Sequence, residues 1–251
     1  MKKLLSPLLL IFLFSNCNNT PDLIVIGHRG AMGHALENTI ESVEKAIDLK
    51  VDGIEIDVFK SKSGELIVYH DPSLGRLSNS TAFIEQISLD SIKKVELIGG
   101  LTIPTLNEVL DIIPEKIFLN IELKGENTAY ETNKIIIKYL SESNLTPSKF
   151  IISSFRWDEL KKFRKVNKDV PIAILVDSLY KIDNAIKLAK EIKAVALNPN
   201  NKFITNQIVK KIQSNNIKVY PYTINTPMNI KRMKSMGVDA IITDFPERIN
   251  K

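Results

Sequence analysis

An α/β chain closed as a (β/α)8 barrel is what the sequence predicts, on three observations. Apolar runs of strand length recur from Leu23 to Thr243, amphipathic stretches of helix length lie between them, and 251 residues suit one well-buried core better than two domains. The first run, Leu23-Ile24-Val25-Ile26-Gly27, closes on His28, and the second spans Gly53 to Phe59. The others are 117–123, 149–155, 171–176, 193–197, 217–224 and 239–243, which brings the count to eight strands suited to parallel pairing. Helical patterns run from Thr39 to Leu49, Thr105 to Ile112, Asn127 to Ser143, Trp157 to Val166, Leu179 to Glu191, Thr205 to Asn215 and Pro227 to Met236. Asn38 with Glu41 three residues on makes a capping pair for the first of these, and Glu37 has no clearer role than its neighbour. In such a barrel the reactive groups gather at the C-terminal strand ends, where His28, Asp57, Glu122 and Lys124 fall.

The second strand carries the most chemistry. Side chains alternate faces along a strand, so Glu55 and Asp57 project together while Ile54, Ile56 and Val58 point the other way. Those apolar flanks mark a buried strand, and paired carboxylates in such a place are costly unless a cation lies between them. A hard divalent ion with oxygen ligands answers that need. Lys60 to Gly64 is too short for a parallel crossover, so Glu65 to His70 must return as a hairpin, which brings His70 back beside Glu55 and Asp57. Two imidazoles, two carboxylates and the Arg29 guanidinium can hold a cation and a phosphate in one place, the requirement of phosphodiester chemistry.

The ordered set His28-Arg29-Gly30, Glu37-Asn38-Thr39, Gly53-Ile54-Glu55-Ile56-Asp57-Val58 and Val68-Tyr69-His70-Asp71-Pro72 resembles the glycerophosphodiester phosphodiesterase family. Ile121-Glu122-Leu123-Lys124, Ser153-Ser154-Phe155, Tyr222-Thr223-Ile224-Asn225 and Gly237 to Pro246 continue the likeness in order; Leu36 and Tyr222 depart from the family's usual proline and tryptophan. The resemblance implies a TIM barrel with a small insertion, here Pro72 to Ile103, expected over the barrel mouth. It further implies that Glu55, Asp57 and Glu122 hold one Ca²⁺ or Mg²⁺, that Arg29 and Lys124 contact phosphate, and that His28 and His70 share the proton transfers. The activity implied is hydrolysis of glycerophosphodiesters to glycerol 3-phosphate and an alcohol. The residues leave open which histidine is acid and which is base, and whether water or the glycerol 2-hydroxyl attacks first.

Phe155 and Tyr222, at strand ends, are candidate walls for the alcohol portion of the substrate. His34 reads as a surface bystander and Trp157 as a packing residue, while Asp244 suits the barrel rim as well as a substrate contact. Two other readings use the same fold: a phospholipase D-like or lysophospholipid phosphodiesterase, with an apolar rim at Ala82-Phe83-Ile84 and Leu97 to Leu101, and a non-catalytic lipoprotein that binds a phosphorylated ligand.

Met1-Lys2-Lys3 followed by the apolar stretch Leu4 to Phe14 has the form of a signal peptide, too short to span a bilayer. Cys17, the one cysteine, follows it as in a bacterial lipoprotein processing site. The expected organisation is a signal peptide over 1–16, a tether over 17–22 and the barrel over 23–251, with acylation at Cys17 anchoring an exported protein to a membrane. Processing removes Lys2 and Lys3, so the net charge falls from +5 to +3, with 32 basic against 29 acidic residues. That is no excess for nucleic-acid binding, and the lysines lie scattered along helical faces.

Overall fold

The computed structural model describes residues 23–249; the segments expected as signal peptide and tether, with Cys17, lie outside them. Eight parallel strands form the barrel wall: β1 (Ile24–Gly27), β2 (Gly53–Lys60), β6 (Phe118–Leu123), β7 (Phe150–Ser154), β8 (Ile172–Val176), β9 (Ala196–Pro199), β10 (Lys218–Val219) and β11 (Ala240–Thr243). β11 pairs with β1, and the last seam, between β10 and β11, closes through Asp239 N–H to Val219 O at 3.1 Å, Ile242 N–H to Pro221 O at 3.1 Å and Ile224 N–H to Ile242 O at 2.9 Å. The run 217–224 was expected as one strand, and only Lys218–Val219 is regular. Pro221 explains the interruption, since it has no N–H to give the ladder.

Six helices pack outside the wall after their strands: α1 (Ile40–Asp48), α4 (Thr128–Ser141), α5 (Trp157–Val166), α6 (Ile182–Ile192), α7 (Asn206–Gln213) and α8 (Pro227–Met236), with the short α3 (Leu106–Leu110) ahead of β6. Threonine hydroxyls start several of them: Thr39 accepts from Ser42 N–H, Thr205 from Ile208 N–H, Thr226 from Asn229 N–H, and Thr105 forms a full capping box with Glu108. Thr39, and not Asn38, therefore caps α1. The main apolar layer lies between wall and helices, and a smaller one, with Ile26, Ile151, Ala173, Ala196, Tyr220 and Ala240, fills the barrel interior.

β3 (Leu66–Val68) turns back antiparallel on β2 with Val58 beside Val68 and Lys60 beside Leu66, the register the hairpin required. The insertion holds two 3-10 turns (Leu74–Arg76 and Ile84–Gln86), α2 (Leu89–Ile92) and a ribbon of β4 (Glu96–Leu97) and β5 (Leu101–Thr102). None of its residues lines the cavity at the barrel mouth. Leu74, Leu77, Ile84, Ile92, Leu97 and Ile103 need an apolar partner, and the hairpin residues Phe59, Ile67 and Tyr69 supply it, so the insertion sits beside the mouth as a second small core.

Candidate active site

β2 and β6 run side by side with Asp57 level with Glu122 and Glu55 level with Asn120. Adjacent strands lie about 5 Å apart, so this register alone brings three inward carboxylates together. Glu55, Asp57 and Glu122 are all buried, and each offers an oxygen within 4.8 Å of the others. Burial, then Asp57 and Glu122, pushes the Glu55 carboxyl well above its ordinary range, and burial with Asp57 pushes Glu122 up to about 7. Three crowded carboxylates with hard oxygen donors fit Ca²⁺ or Mg²⁺ and do not fit a thiophilic metal.

Lys124 follows directly on β6 and leans into the cluster. Its Nζ lies 3.1 Å from Glu122 Oε1, 3.7 Å from Asp57 Oδ1 and 3.1 Å from His70 Nε2. Arg29 has φ 51° and Gly30 φ 86°, and a Cβ on Gly30 would meet the Ser42 backbone at 2.5 Å, so the chain can make this turn only with glycine there. The turn aims the Arg29 N–H at Glu55 Oε2 (2.9 Å) and its guanidinium at Glu37 Oε1 (2.7 Å) and towards Asp57 Oδ2 (3.3 Å).

Asn38 also takes a left-handed backbone, φ 57°, and so faces away from its helix. Its amide donates to Asp57 Oδ2 at 2.8 Å, and its Oδ1 accepts the Asp57 N–H at 3.2 Å. The capping role expected for it is replaced by one of fixing a carboxylate. Glu37 likewise joins Arg29 and Arg76 and takes no part in the helix start.

Each histidine is held by a carboxylate. His28 Nδ1 lies 2.6 Å from Asp244 Oδ1, and His70 Nδ1 lies 2.6 Å from Asp71 Oδ1. Asp244 is itself held by Asn225 Nδ2 at 2.6 Å. With Nδ1 engaged in this way, both rings turn Nε2 inward, that of His28 to within 4.0 Å of Glu55 Oε2. Burial, helped by Lys124 and Arg29 against Asp57 and Asp71, keeps His70 below the usual imidazole range. Adjacency to His70 was a signal for Asp71, and Asn225 closes a family-like motif without a role assigned to it, whereas nothing in the sequence pattern pointed to Arg76.

A cavity of about 170 Å³ opens over these groups, lined on its far side by Phe155, Leu175, Tyr222 and Ile242. Phe155 and Tyr222 meet edge to face at 5.7 Å. His34 stands outside it, bonded to Glu247 at 2.8 Å, and Trp157 is partly buried with its indole N–H on Leu175 O.

A barrel whose mouth places a cation site between two inward imidazoles, with cationic side chains beside it, defines the class of phosphoric ester hydrolases. Within that class the chain belongs to the glycerophosphoryl diester phosphodiesterase family, whose model matches residues 28–248. It is 34% identical over 235 residues to a glycerophosphodiester phosphodiesterase of Caldanaerobacter subterraneus subsp. tengcongensis, covering 90% of this chain and 96% of that one. Among solved structures it is similar to an Oleispira antarctica phosphodiesterase in complex with the product sn-glycerol-3-phosphate (TM-score 0.81, 26% identity, 90% of this chain and 94% of that one). A Thermotoga maritima glycerophosphodiester phosphodiesterase is similar with a TM-score of 0.75 and 27% identity, over 90% of this chain and 96% of that one.

Proposed function

We propose that the protein hydrolyses glycerophosphodiesters to glycerol 3-phosphate and an alcohol, with one Ca²⁺ or Mg²⁺ held by Glu55, Asp57 and Glu122. The observation that carries this reading is the convergence of these carboxylates beside two histidines that are each anchored through Nδ1. A bound divalent ion would neutralise phosphate charge and act as a Lewis acid there. Arg29 and Lys124 offset the anionic cluster and bind the phosphate oxygens of the diester. His70, which burial keeps below the usual imidazole range, accepts the proton of the attacking hydroxyl on its inward Nε2. His28, supported by Asp244, gives a proton to the oxygen that leaves as the P–O bond breaks. Phe155 and Tyr222 line the space for the alcohol.

Of the apolar rim an interfacial enzyme would show, Ile84 and Leu97 are buried in the insertion's own core, whereas Phe83 and Ile98 are exposed, so the choice between water-soluble diesters and lysolipids falls to the assay. A non-catalytic binding role leaves both anchored histidines without a purpose. The purified mature chain, assayed on a panel of glycerophosphodiesters and lysophospholipids, should turn over the former, lose activity with chelator and regain it with Ca²⁺ or Mg²⁺. Full activity after exhaustive chelation would remove the metal from the reading.

The N-terminal features support export and acylation at Cys17, placing the enzyme at a membrane surface. The Cys17→Ser protein should leave the membrane fraction with its specific activity unchanged. Mass spectrometry showing an unmodified N-terminus elsewhere would exclude the anchor.

A further inference from the structure

Arg76 belongs to the insertion, yet its guanidinium reaches two carboxylates of the site. Its Nη1 and Nη2 donate to Glu37 Oε2 at 2.8 Å and Oε1 at 2.6 Å, a forked pair, and its Nε donates to Asp71 Oδ2. Glu37 Oε1 also accepts from Arg29 Nη1, and Asp71 Oδ1 faces His70 Nδ1. Five side chains thus form one charged chain, His70–Asp71–Arg76–Glu37–Arg29, that joins the proton-transfer group at one end to the phosphate-binding group at the other. Leu74 and Leu77, on either side of the turn that carries Arg76, are buried in the insertion core, so the guanidinium stands on a packed base.

We propose that Arg76 is a positioning residue that sets Arg29 and His70 together, and that the insertion is retained beside the mouth to present it. Two effects follow from the geometry. Glu37 is buried and carries one negative charge between two guanidinium groups. While Arg76 satisfies it with both nitrogens, much of the Arg29 charge is left for the substrate phosphate. Without Arg76 the Glu37 carboxylate would turn wholly onto Arg29 and draw it from the phosphate. Asp71 would at the same time lose its outer hydrogen bond, and the His70 ring would lose its fixed orientation. A lysine offers one point charge and cannot span both carboxylates, so Arg76→Lys should not restore the function.

This inference rests on the phosphodiesterase reading, and the experiment keeps the two apart. Glycerophosphodiester hydrolysis and calorimetric binding of sn-glycerol 3-phosphate are measured on metal-loaded wild type, Arg76→Ala and Arg76→Lys, with melting temperatures alongside. Wild type that neither binds nor hydrolyses would fault the functional reading itself. With wild type active, both variants should lose roughly 10- to 100-fold in kcat/KM, through higher KM as well as lower kcat, and should bind glycerol 3-phosphate more weakly. Arg76 is half exposed, so free guanidinium at millimolar concentration should restore part of the Arg76→Ala activity and should not raise that of wild type. Wild-type kinetics in Arg76→Ala would overturn the proposal. So would a loss matched by a fallen melting temperature and indifferent to guanidinium, or full rescue by lysine; should the alanine variant not fold, the lysine variant decides.

Discussion

At Asp244 and Asp71 a carboxylate holds the Nδ1 of a histidine in the same way at both rings. Both engage Nδ1 with the carboxylate, which leaves Nε2 for the proton transfers of the proposed reaction. His70 is kept below the usual imidazole range and is assigned the base; His28 is assigned the acid. The assignment can be tested with leaving groups. On an alkyl diester, His28→Ala and His70→Ala should each lower turnover on the order of a hundred- to ten-thousandfold, with His34→Ala near wild type. On a p-nitrophenyl diester, whose leaving group needs no proton, the His28→Ala defect should largely vanish and the His70→Ala defect persist. The reverse pattern would exchange the roles. The histidines were legible in the sequence because they close strand runs. Asn38 was misread, since a polar residue before a helix looks like a cap, and only its left-handed backbone shows that it serves Asp57 instead.

Among the elements, the end of the barrel away from the mouth has its own polar device. Lys149 closes the 3-10 turn Pro147–Lys149 ahead of β7, is 5% exposed, and donates to the carbonyls of Pro114 at 2.5 Å and Ile117 at 2.6 Å. It ties the entry of β7 to the turn before β6. Lys149→Met would strip the Ile117 carbonyl of this donor and leave the Pro114 carbonyl with only the Ile117 N–H, for a loss of about 1–3 kcal/mol in chemical denaturation at neutral pH. Burial lowers the ammonium to about 8, below its ordinary value of 10.5. The unfolded chain therefore binds the proton more tightly, so this group makes wild type gain stability as pH rises through that interval. The gap between wild type and Lys149→Met should widen from pH 8 to pH 10; a constant gap would refute the buried-ammonium account. Strand and helix order was legible because apolar periods of 2 and 3.6 differ, whereas the break at Pro221 and the seat of the insertion depended on pairing partners distant in sequence.

For the whole molecule, the metal site couples stability to pH in an inverted sense. Glu122, at about 7 against an ordinary 4.5, binds its proton more tightly in the folded state, and Glu55 moves in the same direction. Glu122 makes the metal-free protein lose stability as pH rises from about 4.5 to 7, and Glu55 acts with the same sign. A divalent cation binds the ionised carboxylates and should reverse that loss, so Ca²⁺ or Mg²⁺ should raise the melting temperature more at pH 7.5 than at pH 5.5. An equal increment at both would contradict the shared cluster. The chain enters β1 at the barrel end opposite the mouth.

The sequence by itself determined the barrel, the hairpin, the inward pair Glu55 and Asp57 and the two histidines, because alternation and turn length are local properties of a chain. The residues themselves also suggested Arg29 as a phosphate contact, and resemblance added Glu122 and Lys124. Tertiary structure alone decided that Glu122 lies level with Asp57, that Asp244 holds His28, and that Arg76 crosses from the insertion to Glu37. The reason is physical: strand register and side-chain hydrogen bonds across 39 or 216 residues of chain are set by packing, and no local pattern encodes which partner a buried charge will find.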